Sequence, residues 1–124
     1  MRPKSETLTG QELEIMKVIW PRSQATVREV YDDLRSRRTV AYTTVQTMMN
    51  ILETKGHLKR EAGEKANTYA PVRPQQAVVK SMVREFVNRV FDGSARPLLV
   101  HLLKEKGLTE RERRELQKLL DKEE

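Results

Sequence analysis

The chain has 124 residues, of which 34% are charged and 5% aromatic, and it carries a formal net charge of +6 without any cysteine. This length fits one compact domain or one small domain with an additional segment, and the composition favours a helix-rich fold over a β-sandwich. The absence of cysteine excludes disulfides, thiolate metal sites and cysteine nucleophiles. The positive charge favours a polyanionic partner such as nucleic acid.

The charge is unevenly distributed, since residues 1–73 hold 13 Lys and Arg against 9 Asp and Glu, whereas residues 74–124 hold 11 against 9. No apolar run approaches the roughly 18 residues of a membrane-spanning helix. The first six residues lack the apolar stretch of a signal peptide. We therefore expect a cytoplasmic protein with its electrostatic contacts mainly in the first part of the chain.

Three Thr-x-x-Glu sequences predict helix starts, at Thr9, Thr26 and Thr109. In such a capping box the Thr hydroxyl accepts a hydrogen bond from the Glu amide, and the Glu carboxylate accepts one from the Thr amide. Apolar residues at helical spacing after the first two boxes predict helices over residues 10–20 and 27–37.

Further turn and helix signals complete the first part of the chain. Pro21 predicts the end of the first helix because proline has no amide to donate. A third helix is predicted over residues 42–55, with Gly56 just beyond its end. Residues 57–61 and 67–72 then predict two short strands joined by a polar turn. Three short helices followed by a hairpin indicate a winged helix-turn-helix domain.

From Pro74 onward the pattern is helical and more apolar, with helices predicted up to residue 91, around residues 98–103 after Pro97, and over residues 109–122. About 50 residues cannot bury so wide an apolar face among themselves, so a second copy is expected to cover it. We predict a DNA-binding domain over residues 1–73 and a helical dimerisation domain over residues 74–124. The predicted dimer contacts are Val79, Met82, Val83, Phe86, Val87, Val90, Phe91, Leu98, Leu99, Leu102 and Leu103.

The third predicted helix has one apolar side and one side of uncharged polar residues, a composition that suits contact with base edges in a major groove. The candidate base contacts are Tyr42, Thr43, Thr44, Gln46, Thr47 and Asn50. Basic residues before this helix and in the hairpin are placed to meet phosphates. These candidates are Arg37, Arg38, Lys59, Arg60 and Lys65.

No pattern in the sequence predicts catalysis, a cofactor or a metal. His57 and His101 each lack a second ligand at metal spacing, and no metalloprotease, phosphate-loop or nucleophile-elbow motif is present. Two alternatives remain open beside a repressor. One is a winged-helix regulator that responds to a small ligand, and the other is a protein-interaction module that docks through the apolar C-terminal helices.

Five segments resemble the penicillinase-repressor and methicillin-resistance-regulator (BlaI/MecI) family, and together with the order of elements they cover nearly the whole chain. They are LTGQELEIMKVIW (residues 8–20), TVREV (26–30), AYTTVQT (41–47), KG (55–56) and YAPV (69–72). The resemblance implies a dimeric winged-helix repressor that binds an inverted repeat with TACA/TGTA-like half-sites. It also places Thr43, Thr44, Gln46 and Thr47 on the recognition helix.

The resemblance further implies regulation of β-lactam-resistance or related genes and relief of repression by a membrane sensor-protease. It places the severed bond at His101-Leu102, where both flanking side chains differ from the Asn-Phe step of well-known members. Copper-responsive members carry a C-terminal cysteine cluster, which is absent from this chain. Copper sensing of that kind is therefore not implied.

Overall fold

Six helices and one antiparallel pair of strands form the described part of the computed structural model, which covers residues 7–123. In chain order they are α1 (Gly10–Arg22), α2 (Val27–Arg35), α3 (Tyr42–Thr54), β1 (Leu58–Glu61), β2 (Thr68–Pro71), α4 (Gln75–Phe91), α5 (Arg96–Lys104) and α6 (Glu110–Glu123). The predicted class, mainly α with a small hairpin in a winged-helix order, is confirmed. The elements group into two compact units, of which the first ends at Met82 and the second begins at Val83.

All three predicted capping boxes form. At the start of α1, the amide of Thr9 donates to Glu12 Oε1 over 2.9 Å, and the amide of Glu12 donates to Thr9 Oγ1 over 3.1 Å. The box that opens α2 has the same two distances. The box that opens α6 measures 2.9 and 3.0 Å. Each box satisfies two amides that a helix start leaves without an intrahelical partner.

Two predicted helix ends are wrong by two residues. Pro21 lies inside the last turn of α1, which continues to Arg22. A proline at this position removes only one backbone hydrogen bond, because it lacks an N–H group. The helix then ends where the amide of Ser23 donates to the Ile19 carbonyl over 2.9 Å. Helix α2 ends at Arg35 rather than at residue 37, because the Arg37 amide makes a turn-type bond of 3.0 Å to the Leu34 carbonyl.

The end of α3 follows the predicted glycine signal. The helix stops at Thr54, and Gly56 adopts a φ of +89°, a conformation that favours glycine over residues with a side chain. The amides of Gly56 and His57 then donate to the carbonyls of Glu53 and Leu52 over 3.0 and 2.9 Å. This turn leads the chain directly into β1.

The core of the first unit is built from one face of each of its helices and from the hairpin. Its most deeply buried side chains are Ile15, Met16, Ile19, Val30, Leu34, Val45, Met49, Leu52 and Val78. Val78 belongs to α4, and the indole N–H of Trp20 donates to the Arg73 carbonyl over 3.1 Å just before that helix. The beginning of α4 is therefore part of the winged-helix core.

The hairpin pairs β1 with β2 in the register Leu58 to Pro71, and the segment between α1 and α2 joins it as a third, single-residue bridge. Ala25 and Tyr69 exchange backbone hydrogen bonds of 2.8 and 3.0 Å. In the turn, a Cβ added to Gly63 would lie 2.2 Å from the carbonyl oxygen of Ala66. The tightness of this turn therefore requires glycine.

The second unit has a small core of its own. Val87 and Leu120 are its buried apolar residues, and α5 contributes no buried residue. The guanidinium of Arg113 in α6 donates to the carbonyls of Leu103 and Glu105 at the end of α5. Charged donors at a helix C-terminus satisfy carbonyls that lack an intrahelical partner.

Candidate nucleic-acid interface

Helix α3 presents two opposite surfaces. Val45, Met49 and Leu52 are at most 1% exposed and fix the helix against α1 and α2. On the other side, all six residues predicted to contact bases are exposed: Tyr42, Thr43, Thr44, Gln46, Thr47 and Asn50. The uncharged surface that the sequence predicted is therefore present, on a helix held rigidly from behind.

The exposed surface of α3 borders two depressions, one on each side. Tyr42 and Gln46 line a cleft of about 200 Å³ together with the start of α2 and the hairpin turn, where Arg28 and Asn67 contribute. The other side borders the N-terminal end of α1 in an open groove of about 720 Å³. Thr43, Thr44, Thr47, Met48 and Ile51 are the residues of α3 in that groove.

Tyr42 is held by an aromatic and cationic cluster. Its ring meets the ring of Tyr31 edge to face, with centroids 5.4 Å apart. The guanidinium of Arg35 lies 5.1 Å from the centroid of the Tyr31 ring and that of Arg28 lies 5.8 Å away, distances typical of cation–π contacts. Asp32 pairs with both arginines. The first turn of α3 is thus fastened to α2 by side chains that sequence reasoning did not connect.

Asn50 is bound to the hairpin. Its Oδ1 accepts a hydrogen bond of 2.9 Å from the phenol of Tyr69, which is buried in β2. The Asn50 amide keeps its NH₂ group and the second lone pair of Oδ1 for another molecule. A two-point contact with adenine would therefore share Oδ1 with Tyr69.

The basic residues of the hairpin differ in their surroundings. Lys59 and Lys65 are exposed, and Lys65 lies in the turn at the tip. Arg60 faces back toward α3, where its Nε lies 3.6 Å from the Glu53 carboxylate. Lys59 and Lys65 are therefore better placed to meet a phosphate than Arg60.

The two arginines before α3 form ion pairs within the first unit. Arg37 contacts the carboxylate of Asp33. Arg38 binds Glu14 of α1 in a two-point arrangement, with its Nη2 at 2.8 Å and its Nε at 3.1 Å. The hydrogen bonds from Arg38 lower the pKa of Glu14, and the same interaction raises the pKa of Arg38. A phosphate would have to compete with these carboxylates.

A further ion pair, which was not predicted, involves Glu12 in the lining of the groove. Lys55 Nζ lies 2.9 Å from both oxygens of Glu12, whose side chain is 5% exposed. Burial alone would raise the pKa of Glu12, but the Thr9 amide and Lys55 outweigh it, and the net pKa lies below the ordinary value. The sequence showed Glu12 only as a capping residue, because Lys55 is distant along the chain.

The predicted dimer contacts are placed in several environments. Val83, Phe86, Val90 and Leu102 of the second unit are exposed, as is Val79 in the first. Met82 packs against the core of the first unit, and Val87 is buried. The remaining predicted contacts are half-buried, namely Phe91, Leu98, Leu99 and Leu103.

The predicted cleavage residues His101 and Leu102 lie within α5, where the His101 ring is 6.1 Å from that of Phe91.

Residues 7–123 contain neither a metal-binding cluster nor a membrane-spanning helix. No group of three or more His, Cys, Asp or Glu side chains in this range is arranged to hold a metal ion. No helix in the same range is both long enough and apolar enough to cross a membrane.

Comparison with known proteins gives consistent matches along the chain. The model of the penicillinase repressor family matches residues 8–122. The penicillinase repressor of Bacillus licheniformis is 29% identical over 118 residues, covering 95% of this chain and 92% of that protein. The transcriptional regulator BlaI of Mycobacterium tuberculosis is 33% identical over 109 residues, covering 86% and 79%.

Two solved structures resemble the winged-helix part. The solution structure of the DNA-binding domain of the repressor BlaI has a TM-score of 0.54 at 32% identity and covers 60% of this chain and 90% of that one. The solution structure of monomeric Bacillus licheniformis BlaI in complex with the blaP half-operator has a TM-score of 0.50 at 33% identity, with coverage of 56% and 85%.

Proposed function

The chain belongs to the penicillinase repressor (BlaI/MecI) family of DNA-binding transcriptional repressors, and from this premise we propose that it represses its target genes as a homodimer on an inverted-repeat operator. The family is one of transcriptional regulators and not of enzymes, in agreement with the sequence-based prediction. The target genes are those of β-lactam resistance or related functions, and the half-sites are TACA/TGTA-like. The repressor acts in the cytoplasm.

The observation that carries this proposal is the uncharged, exposed surface of α3 opposite three buried core residues. Thr43, Thr44, Gln46 and Thr47 enter the major groove, where the Gln46 amide binds an adenine edge and the threonine methyls meet thymine methyls. Tyr42 and Asn50 lie at the margins of this contact, since each already has a partner within the unit.

Phosphate contacts come mainly from Lys59 and Lys65, whose ammonium groups are exposed on the hairpin. Arg37, Arg38 and Arg60 contribute less, because binding a phosphate weakens the ion pair that each already makes. Their exposure still allows the exchange of a carboxylate for a phosphate. The net positive charge of the chain supports this assignment through counterion release on binding.

Dimerisation uses the apolar surface of the second unit. Val83, Val90 and Leu119 are each about half exposed in the single chain, and Phe86 and Leu102 are also exposed. A unit with so few buried residues gains stability when a second copy covers such a surface. A two-fold dimer also presents two recognition helices to two half-sites about one DNA turn apart.

Relief of repression follows from cleavage in α5, by a membrane sensor-protease or another regulatory protease, at or near His101-Leu102. Helix α5 has nine residues, and none of them is buried. The free energy needed to unfold it locally is therefore low, and an unfolded segment can enter the active site of a protease. Cleavage there removes part of the dimer surface and leaves weakly binding monomers. Mass spectrometry of the protein from induced cells tests this step, and an intact chain during full derepression would exclude it.

Selection from a random duplex library, followed by gel shifts on the selected sequence and on the chain's own upstream region, tests DNA recognition directly. We expect enrichment of an inverted repeat and a complex that withstands an excess of non-specific duplex. Gln46→Ala, Thr47→Ala and a control at the exposed Val72 of the same unit separate the recognition surface from the rest of the domain. Equal affinity for all sequences would reject the proposal and favour a protein-interaction module.

A further inference from the structure

The groove between α3 and the N-terminal end of α1 contains an exposed isoleucine that belongs to no predicted set. Ile51 is 41% exposed, although isoleucine is among the residues most often buried in proteins. It lies four residues after Thr47, on the same side of α3, and both residues line the groove. Ile51 therefore adjoins the candidate base-contacting surface, one helical turn beyond Thr47.

The lining of this groove is rich in methyl groups and offers no free charge. Thr44, Thr47 and Ile51 all present methyls, and the one charged lining residue, Glu12, is buried and bound to Lys55 through both oxygens. Gly10 and Gln11, at the start of α1 on the opposite side of the groove, carry N–H groups that can meet the DNA backbone. The α3 side of the groove offers methyl groups and neither a cation nor an amide donor. It is suited to an apolar feature of a base edge.

Thymine is the base that presents a methyl group in the major groove. We propose that Ile51 contacts the C5-methyl group of an operator thymine and thereby contributes to the sequence preference of the repressor. The inference rests on the proposed entry of α3 into the major groove. The contact covers apolar surface on both partners, and its energy comes from removing that surface from water.

Deoxyuridine provides a test, because it differs from thymidine only in lacking the C5-methyl group. In the inverted repeat selected from the random library, each symmetry-related pair of thymines is replaced in turn by deoxyuridine. At the pair of thymines that Ile51 contacts, we expect the wild-type chain to lose about fourfold in affinity per half-site, from the burial of one methyl group. Thymines that meet the threonine methyls form separate pairs, and their effect should not depend on residue 51. Ile51→Ala should bind the thymidine duplex and the deoxyuridine duplex with equal affinity at the pair that Ile51 contacts. Ile51→Val should retain most of the wild-type difference in affinity between these two duplexes.

Val72→Ala is the matched control, since it truncates an aliphatic side chain that is 55% exposed elsewhere in the same unit. This variant should keep the wild-type ratio at every thymine. Two results would overturn the inference: wild-type affinity that is insensitive to every replacement, or an Ile51→Ala variant that discriminates as fully as wild type. In either case, if the wild-type chain still binds the unsubstituted repeat selectively, the proposed function is unaffected. If it shows no selective binding, both the Ile51 contact and the proposed function are rejected.

Discussion

The phenol of Tyr69 donates a hydrogen bond of 2.9 Å to Oδ1 of Asn50 and so joins the hairpin to the third turn of α3. Tyr69 is 3% exposed, and its backbone is paired with Ala25 between α1 and α2. One residue of β2 therefore connects α3, the hairpin and the segment between α1 and α2. This connection matters because base contacts and phosphate contacts must engage DNA together.

A double-mutant cycle measures the energy of this connection. Tyr69→Phe removes the donor and Asn50→Ala removes the acceptor, and we expect a coupling free energy of about 0.5–1.5 kcal/mol between them in urea unfolding. Tyr31→Phe with Asn50→Ala serves as the control pair, since the Tyr31 ring contacts Tyr42 rather than Asn50. Additive effects of Tyr69→Phe and Asn50→Ala would show that the hydrogen bond contributes nothing to stability.

Gln46 and Lys65 should affect DNA binding in different ways. Gln46→Ala removes an amide that can bond adenine at two points, so we expect a loss of about 1–3 kcal/mol confined to one base pair of each half-site. Lys65→Ala should weaken binding to all sequences and reduce the salt slope by about 1 for each phosphate that is no longer neutralised. Anisotropy titrations on the operator and on its single-base variants at several salt concentrations distinguish the two effects. An unchanged base preference for Gln46→Ala would contradict our orientation of α3.

The features that the sequence predicted depend on neighbours along the chain. The capping boxes at Thr9, Thr26 and Thr109 involve residues three apart, and both surfaces of α3 follow from helical spacing. Rules based on sequence neighbours were wrong about the end of α1, where the energetic cost of a proline is small. Pro21 costs one hydrogen bond in a turn that is about to end, so packing of the preceding residues carries α1 past it.

Interactions between distant residues explain most of what the sequence did not reveal at the site. Arg38 and Glu14 are 24 residues apart, and Lys55 and Glu12 are 43 apart. Their charges suggested phosphate binding or capping, but pairing requires the fold to bring α1 beside α3. Likewise, the apolar residues of α4 recur at helical spacing along its whole length, so the sequence gives no sign that the helix serves two cores. The structure places Val78, near its start, in the core of the first unit.

The Glu12–Lys55 ion pair should make stability depend on pH in the acid range. Because the pKa of Glu12 is lowered in the folded state, its contribution is fully present above its unfolded value, near 4.5, and is lost as the pH falls through the folded pKa. Glu12→Gln retains an oxygen for the Thr9 amide but loses the charge. We expect it to cost about 1.5–3 kcal/mol at pH 7, with the difference from wild type shrinking as the pH falls below about 4.5.

Glu29→Gln is the matched control, since Glu29 forms the same capping box at Thr26 on an exposed helix start. Its effect at pH 7 should be small, because this carboxylate is exposed and its loss leaves no cation without its partner. Urea unfolding of wild type and both variants, at pH values on either side of the ordinary glutamate pKa of 4.5 and at neutrality, provides the measurement. A Glu12→Gln difference that persists undiminished in acid would indicate altered packing rather than a missing charge.

The apolar surface of the second unit should decide the oligomeric state. Val83 and Val90 are 51% and 50% exposed and lie seven residues apart on α4, hence on the same side of the helix. Replacing both with lysine would bury four charges at a two-fold interface without disturbing a residue that is buried in the single chain. We expect sedimentation velocity at micromolar concentration to show a dimer for wild type and a monomer for this variant.

The same variant should separate dimerisation from DNA recognition. Since the winged-helix core is unaltered, affinity for a duplex with a single half-site should remain within about twofold of wild type, while the additional affinity for the full inverted repeat should disappear. Val72→Lys introduces the same charge at a residue of the first unit that is 55% exposed, and it should remain dimeric. A wild-type monomer at this concentration would reject the dimer itself. A double-lysine variant that still dimerises would place the interface on another surface, because two buried pairs of lysines could not be accommodated between the α4 helices.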